Sequence, residues 1–346
     1  MPSVRGLRLM QWPALLAATL CLLAVPAFAP QARAASGAGT IVYSGSDGIY
    51  TVAGNGGPPQ RVWTAPAGQR ATEPRWSPDG KRIAFIGPDG NVWLMNADGS
   101  NAHALTSQAV APAGCGEDGC TAPGTEADTP RWSPDGASIS YRLVVNLASA
   151  ALWSVGAGGG AAHQLASATS LCLFNEGWSP AGTPLFSRCA GDSGPSNATY
   201  AAAGGAAQPF VAGSQLAFSP DGSRLAFSSH AMQNGAISVS LFIANADGSG
   251  AQMVAADGQD PIWSANGLIA YRVGETDGWA VHVYDPASGK DTDLGAGVAE
   301  AWSPDGSWLL FSSTGDSGGT LWRMRADGSG RQQIGAGMAA DWSHAG

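Results

Sequence analysis

Short apolar runs of about five residues alternate with polar, glycine-rich turns along most of the chain. In the clearest stretch, apolar runs at residues 82–86 and 91–95 lie between turns that contain Gly, Asp and Asn. Runs of this length between such turns predict β-strands rather than helices. With 49 glycines and 22 prolines among 346 residues, the chain has little room for long helices.

One six-residue phrase marks many of these turns. Arg-Trp-Ser-Pro-Asp-Gly begins at Arg75 and again at Arg131, and looser copies begin at residues 177, 217, 262, 301 and 341. The aromatic residues of successive copies are 56, 46, 40, 45, 39 and 40 positions apart. A period near 40 with insertions is typical of a repeated unit of four short strands, as in a propeller blade.

The two ends of the repeat complement each other. Residues 40–44, 48–52 and 60–64 match the second, third and fourth strands of a unit, and residues 339–343 match an isolated first strand. Pairing of these fragments closes a ring and leaves no open sheet edge. We therefore predict an all-β, seven-bladed β-propeller of four-stranded antiparallel blades, closed by the C-terminal strand. The alternative is a six-bladed ring, because the third unit is the least regular.

With the repeat in phase over about residues 39–343, the sequence resembles the TolB-type β-propellers, whose blades carry a W-S-P-D-G turn between the first two strands. The resemblance implies a non-catalytic module of the cell envelope that binds a protein or peptide. We expect the α/β domain that precedes the propeller in TolB to be absent. The alternative is a propeller lyase or hydrolase that acts on a carboxylated sugar or peptide, since oligogalacturonate lyases are related propellers.

Residues 1–34 have the layout of a secretory signal peptide. Arg5 and Arg8 precede an apolar run at residues 12–29, and small residues surround a cleavage position after Ala34. We predict a signal peptide over 1–34, a single propeller domain over 35–346, and a periplasmic or secreted protein without a stable membrane span. The alternative is an uncleaved anchor, for which the apolar run is near the lower length limit.

The charge balance narrows the class of partner. Removal of the predicted signal leaves 14 basic and 26 acidic residues, a net charge of −12. Such a chain binds nucleic acid and anionic membranes poorly, so we expect a cationic protein or peptide as the partner of a monomeric propeller. No His-x-His or His-Glu-x-x-His set is present, and we predict neither a metal nor a cofactor.

Four cysteines remain after the predicted signal, and an even number in an exported chain favours disulfides. In a hairpin around a four-residue turn at 179–182, facing residues have numbers that sum to 361. Cys172 and Cys189 satisfy this sum, so we predict that they are bonded. Cys115 and Cys120 would then close a small loop in an insertion of the second unit.

Acidic residues recur shortly before the aromatic residue of the first strand. First strands line a propeller channel, so these carboxylates predict either a negative channel face that attracts cations or acceptors of hydrogen bonds from loops and neighbouring blades. The set is Glu73, Asp128, Glu176, Asp260, Glu300 and Asp341.

Arg142, Arg188 and Arg272 lie just after the second-strand aromatic residues, where they either pair with these acids or bind a substrate carboxylate. His230 is the histidine placed toward the channel opening. The others fall on outer strands or in the last turn: His103, His163, His282 and His344. There is also no Gly-x-Ser-x-Gly nucleophile elbow, so the non-catalytic interpretation is preferred and no catalytic residue is predicted.

Overall fold

The computed structural model describes residues 38–108, 124–189, 197–203, 206–233, 236–275, 278–313 and 319–343. In these ranges the chain forms 28 strands in seven four-stranded antiparallel sheets and contains no helix. Accordingly, these ranges contain no apolar helix able to cross a bilayer. The predicted seven-bladed β-propeller is confirmed, and the six-bladed alternative is excluded. The predicted signal peptide, Cys115, Cys120 and His344 lie outside the described residues.

From the channel outward, blade 1 consists of β28 (Met338–Trp342), β1 (Thr40–Gly45), β2 (Gly48–Ala53) and β3 (Gln60–Thr64). Blade 2 consists of β4 (Thr72–Trp76), β5 (Arg82–Ile86), β6 (Val92–Asn96) and β7 (His103–Ala104). Blade 3 consists of β8 (Thr125–Trp132), β9 (Ser138–Val145), β10 (Ser149–Gly156) and β11 (His163–Ala168). Blade 4 consists of β12 (Leu173–Trp178), β13 (Pro184–Cys189), β14 (Asn197–Ala203) and β15 (Ala206–Val211).

Blade 5 consists of β16 (Ser214–Phe218), β17 (Arg224–Gln233), β18 (Ala236–Asn245) and β19 (Gln252–Ala256). Blade 6 consists of β20 (Gly258–Trp263), β21 (Ile269–Glu275), β22 (Gly278–Asp285) and β23 (Lys290–Ala296). Blade 7 consists of β24 (Val298–Trp302), β25 (Trp308–Ser312), β26 (Thr320–Arg325) and β27 (Gln332–Ala336). The innermost strands of successive blades contact one another around the channel.

The second strand of each blade is apolar at consecutive positions because neighbouring blades cover both of its faces. Ile83, Ala84 and Phe85 have no exposed surface, and Leu309 and Leu310 show the same in blade 7. A strand buried on both sides needs no alternation of polar and apolar residues. This is why the sequence shows short apolar runs instead of a period of two.

The strand β28 closes the ring as predicted. Ile41 pairs with Trp342 and Val42 pairs with Asp341. The backbone amide of Thr40 donates a hydrogen bond to Ser343 Oγ at 2.9 Å, and the Ser343 amide donates to the Thr40 carbonyl at 2.9 Å. Blade 1 is therefore built from the two ends of the repeat.

Two faces of the ring differ in their connections. We call the face that carries the Ser-Pro-Asp-Gly turns the turn face, and the opposite face, where the innermost strands begin, the loop face. In the turn of blade 2, Ser77 Oγ donates to Asp79 Oδ1 at 2.6 Å and accepts the Arg82 amide at 2.9 Å. Gly80 has a φ of 65°, which favours glycine. These bonds hold a tight corner at the end of each such strand.

The tryptophan of the motif does more than fill space beside this corner. Trp132 Nε1 donates to the carbonyl of Arg75 in the preceding blade at 3.1 Å, and Trp178 Nε1 donates likewise to Arg131 at 3.1 Å. The same bond recurs from Trp263 to Ala217 and from Trp302 to Ile262. An interpretation of the motif as a hairpin corner alone is therefore incomplete, because the indole also joins neighbouring blades.

The disulfide between Cys172 and Cys189 is present, with Cα atoms 5.6 Å apart. Next to it, Leu173 faces Arg188, as the sum of 361 requires. Near the turn, however, Trp178 faces Pro184 rather than Thr183, which shifts the pairing by one residue. A bulge between Asn175 and Gly177 shifts it back. The pairing of the cysteines was predicted correctly because two offsets cancel.

Candidate functional site

Every innermost strand carries a bulge just before its aromatic residue, and this bulge positions the predicted acids. In five blades the residue three places before the aromatic residue has a left-handed backbone although it is not glycine; these are Glu73, Thr129, Gln215, Asp260 and Ala339. The six predicted carboxylates lie one to four residues before the aromatic residue, so they do not form a ring of equivalent positions.

Four of the six carboxylates accept hydrogen bonds from the backbone of the next blade. Glu73 accepts the Thr129 amide at 2.8 Å, and Glu176 accepts the Leu216 amide at 3.0 Å. Asp341 accepts the Trp76 amide at 2.8 Å, and Glu300 accepts the amide of residue 340 together with the Ser312 hydroxyl. These carboxylates link blades, as the second interpretation of the acidic residues expects.

The other two carboxylates form ion pairs within their own blades. Asp128 accepts from Arg142 Nε at 2.8 Å, and Asp260 lies 2.6 Å from Arg272 Nε. Each guanidinium also lies over an aromatic ring: Arg142 over Phe174 at 5.3 Å, and Arg272 over Trp279 at 4.0 Å. These two arginines are thus held by carboxylates and aromatic rings.

Arg188 differs from the other two predicted arginines because it bonds to no carboxylate among the described residues. Its Nη2 donates to the Ser167 carbonyl of blade 3 at 2.8 Å, and its guanidinium lies over the Phe186 ring at 5.0 Å. Arg142, Arg188 and Arg272 therefore stand in three separate blades, each with its own partners.

His230 lies in β17, and its Nδ1 is buried without a hydrogen-bond partner among the described residues. Burial lowers the pKa of this imidazole, while the charge of Asp260 acts in the opposite direction. His282 contacts Asp291, and His103 bonds to the Asn101 carbonyl on an outer strand. Within the described part of the chain, no three His, Cys, Asp or Glu residues are grouped to hold a metal ion.

On the loop face, a groove of about 580 Å³ lies between blades 3 and 4, and we call it the loop-face groove. Three large apolar side chains on its wall are exposed to water: Leu147 (61% exposed), Leu171 (41%) and Phe174 (41%). The complete lining is Glu126, Asp128, Arg142, Val144, Leu147, Ser170, Leu171, Cys172 and Phe174. Sequence reasoning found Asp128 and Arg142 but missed the apolar wall.

Glu126 gives the loop-face groove a net negative charge. Partial desolvation of the carboxyl group in the groove and the nearby carboxylates of Asp128 and Glu73 raise the pKa of Glu126, although its side chain is exposed to water. The Asp128 charge is compensated by Arg142, whereas Glu126 has no hydrogen bond or ion pair with any described residue. A cation placed beside Glu126 would relieve this like-charge repulsion.

A second cavity, of about 290 Å³, opens in the channel near the turn face, and we call it the turn-face cavity. Its lining is Arg75, Trp76, Arg131, Trp132, Ile262, Trp263, Glu300, Ala301, Trp302 and Asp341. Arg75 and Arg131 were not among the predicted site residues. The available signal was the first letter of Arg-Trp-Ser-Pro-Asp-Gly, since the residue before the aromatic residue lines this cavity in five of the seven blades.

The acids of the propeller predict a stability maximum at mildly acidic pH. Burial raises the pKa of Glu73, Glu176, Asp260 and Glu300, so the folded state becomes more stable as pH falls from neutral through their folded pKa values toward the unfolded value of about 4. His230, whose pKa is lowered, opposes this below about pH 6.5, but it is one group against four. Denaturant unfolding at a series of pH values measures the free energy of unfolding, which contains the contributions of all these groups.

Below about pH 4 the sign reverses. The turn aspartates accept bonds from Ser hydroxyls and backbone amides, which lower their pKa, that of Asp221 to about 2. Their contribution is present above the unfolded value and is lost as pH falls toward about 2. Asp221→Asn should reduce the loss of stability below about pH 4 and should leave the rise in stability between about pH 7 and 5 unchanged. A continuous decline in stability from pH 7 downward would contradict the expected role of the buried acids.

Comparisons with known proteins agree with this fold. No protein-family model matches the chain. A stretch of 101 residues is 35% identical to the uncharacterized peptidase YuxL of Bacillus subtilis (strain 168); it covers 28% of this chain and only 12% of that peptidase. The similarity therefore spans a small part of the relative.

Solved structures match over most of the chain. TolB from Acinetobacter baumannii is 15% identical, with a TM-score of 0.54 over 87% of this chain and 81% of TolB. An oligogalacturonate lyase in complex with manganese is 12% identical, with a TM-score of 0.63 over 83% of this chain and 86% of the lyase. The β-propeller domain of the Trilobed protease from Pyrococcus furiosus, which has an open velcro topology, is 12% identical, with a TM-score of 0.55 over 86% of this chain and 87% of that domain.

At these identities the likeness establishes the fold alone, and the matched proteins have different activities. The chain is therefore a seven-bladed β-propeller with a TolB-like fold.

Proposed function

We propose that this protein is an exported, non-catalytic β-propeller that binds a peptide segment of another protein in the loop-face groove. The observation that carries the proposal is the exposed apolar wall of Leu147, Leu171 and Phe174 beside Glu126, whose carboxylate has no partner among the described residues. Export, through a signal peptide over residues 1–34 ahead of a propeller domain over 35–346, and a periplasmic or secreted location belong to the same proposal.

The apolar wall supplies the binding energy in this proposal. Large apolar side chains that stand together at a groove are a mark of an interaction site, whereas single ones are ordinary on a protein surface. Phe174 adds an aromatic ring whose outer side is open, while Arg142 lies over it at 5.3 Å. Aromatic and Arg side chains dominate the energy of many interfaces.

The charge of the loop-face groove selects the partner. Two carboxylates and one guanidinium line it, and the guanidinium is already bonded to Asp128. A Lys or Arg side chain of a peptide would pair with Glu126, whereas an acidic side chain would be repelled. We therefore infer a partner segment with apolar residues around a basic residue, in agreement with the acidic composition of the chain.

The contacts of the other predicted residues support a non-catalytic role. Glu73, Glu176, Glu300 and Asp341 are engaged with backbone amides of neighbouring blades. Removal of such a carboxylate is expected to weaken the fold rather than a reaction. Arg142 is hydrogen-bonded to Asp128, and Arg272 forms an ion pair with Asp260, so each guanidinium charge is already compensated within its own blade.

An array of eight-residue peptides tests the proposal. Each peptide carries leucine and phenylalanine around a central Lys, Gln or Glu, and affinity is measured by fluorescence anisotropy. We expect binding to fall in the order Lys, Gln, Glu. Phe174→Asp and Leu147→Asp should each weaken the Lys peptide about 30-fold or more, the effect of losing an interface hot spot. Glu126→Gln should abolish the preference for Lys over Gln.

Ile237→Asp is the matched control, because Ile237 is 60% exposed in blade 5, outside the loop-face groove. Its affinity for the Lys peptide should equal that of the unsubstituted protein. An equal loss of affinity in Ile237→Asp and Phe174→Asp, or no peptide that binds more tightly than millimolar, would refute the proposal.

A further inference from the structure

We propose that the turn-face cavity is a second binding site, which holds the carboxylate of a ligand with an apolar body through the guanidinium groups of Arg131 and Arg75. This site lies at the opposite end of the channel from the loop-face groove, and it goes beyond the proposed peptide-binding function.

The lining of the turn-face cavity is asymmetric. Five of its residues directly precede the aromatic residue of their blades, so they occupy one level of the channel. On blades 2 and 3 these residues are Arg75 and Arg131, whereas on blades 6 and 7 they are Ile262 and Ala301. The fifth residue, on blade 1, is Asp341. The cavity thus has a polar side with both guanidinium groups and this acid, and an apolar side, which suits a ligand with a polar and an apolar end.

The donors of Arg131 are open to this cavity. Its guanidinium has no hydrogen bond or ion pair with any described residue, and its stem passes beside Gly177, where an added Cβ would lie 3.7 Å from Arg131 Cγ. Arg75 donates only from Nη1 to the Ala340 carbonyl, at 3.3 Å, and its Nε is buried without a partner among the described residues. The Arg131 side chain is exposed, whereas the buried Nε of Arg75 is costly to leave without a partner, so an acceptor that reaches Arg75 in the cavity gains affinity.

The two acids that line the turn-face cavity do not satisfy these donors. Asp341 accepts the amides of Trp76 and Trp342 with its two oxygens. Glu300 accepts the Ser312 hydroxyl at 2.8 Å and the amide of residue 340. Their hydrogen bonds go to backbone amides and to the Ser312 hydroxyl, so neither acid is hydrogen-bonded to a guanidinium of this cavity.

The charge of Arg131 persists at neutral pH. Desolvation inside the channel and the neighbouring charge of Arg75 lower its pKa to about 10, the carboxylates of Glu73, Glu176 and Asp341 act in the opposite direction, and Arg131 stays protonated. An anion between two guanidinium groups relieves their repulsion. A carboxylate fits the planar fork of a guanidinium with two parallel hydrogen bonds. At about 290 Å³ the cavity is at the lower limit of small-molecule sites, roughly 300 Å³, so it suits one apolar residue or an acid of similar size.

Calorimetric titration of the full chain tests the site with two matched ligands: acetyl-Ala-Ala-Leu with a free C-terminal carboxylate, and the same tripeptide as its C-terminal amide. We expect the acid to bind at least about tenfold more tightly than the amide, the effect of a charge-assisted hydrogen bond. Arg131→Gln should remove this difference, and Arg131→Lys should retain part of it. Lys290→Gln, which removes the same charge from an exposed position in β23, should behave like the unsubstituted chain.

Two further ligands identify the source of the carboxylate and its specificity. If acetyl-leucine binds as tightly as the tripeptide, the ligand is a small carboxylic acid; if it binds more weakly, a peptide C-terminus is favoured, and both results support the site. Equal affinity of acid and amide, retention of the difference in Arg131→Gln, or equally strong competition by inorganic phosphate would overturn the proposal. Phe174→Asp, which disables the loop-face groove, should leave this binding unchanged, so the two proposals fail independently.

Discussion

Deletion of residues 338–346 is expected to open the propeller ring and to lower the melting temperature by about 10 °C or more. The deletion removes β28, the innermost strand of blade 1, and with it the pairing to β1 and the bond from the Trp76 amide to Asp341. It also removes Trp342, which is 1% exposed and packs against Ile41. Loss of a buried Trp alone costs about 3 to 5 kcal/mol, and each kcal/mol lowers the melting temperature by roughly 2 °C in a domain of this size.

Point substitutions distinguish the loss of ring closure from a general destabilising effect of truncation. Trp342→Ala should lower the free energy of unfolding by about 3 to 5 kcal/mol, because it creates a cavity and removes the bond from Nε1 to the Ala38 carbonyl. Met338→Ala, in the same strand but 49% exposed, should change it by less than about 0.5 kcal/mol. Scanning calorimetry measures all three proteins. A deletion variant as stable as the complete chain would show that β28 does not close the ring.

Glu176→Ala is expected to lower the free energy of unfolding by about 2 to 3 kcal/mol, the cost of leaving buried donors without an acceptor. Glu176 accepts the Ser187 hydroxyl at 2.6 Å and the Leu216 amide at 3.0 Å, and so it joins blade 4 to blade 5. Ser187 has no exposed surface, so water cannot readily replace the lost acceptor. Urea unfolding measures the change.

Glu126→Ala is the matched control for this result. Glu126 is also an acid of an innermost strand, but it is exposed and has no bond to a described residue. Its removal should change stability by less than about 0.5 kcal/mol and should reduce only the affinity for basic peptides. If the two variants were equally stable, the assignment of Glu176 to the blade junction would be wrong.

The fold was predictable because the same local turn motif recurs many times along the sequence. A Ser-Pro-Asp-Gly corner after a short strand is local chemistry, so its spacing revealed the units, and the isolated Asp341-Trp342-Ser343 revealed the closure. The bond from Trp132 to the Arg75 carbonyl was not predictable, because it joins residues 57 positions apart that only the ring brings together.

The candidate site was predictable in part. Pairing of Arg142 with Asp128 follows from the register of adjacent strands, which sequence reasoning can reach. Arg272 faces Gln259 in the register, and its contact with Asp260 depends on the bulge that follows Gln259. Which carboxylate turns toward a neighbouring amide depends on the bulge in each innermost strand, and a bulge leaves no distinct residue in this sequence. Arg131 was missed for the same reason. Whether its guanidinium is left without a hydrogen-bonded carboxylate depends on the partners that the surrounding acids take.

The closure of blade 1 also has a consequence for the order of folding. Thr40 and Ser343 are 303 positions apart in sequence, yet the Thr40 backbone bonds directly to the amide and the hydroxyl of Ser343. Blades 2 to 7 each consist of consecutive strands and can form as the chain is synthesised, whereas blade 1 must wait for its innermost strand. Contacts between such distant segments form slowly, since a long loop must close first. Blade 1 should therefore be the last blade to acquire protection against hydrogen exchange during refolding.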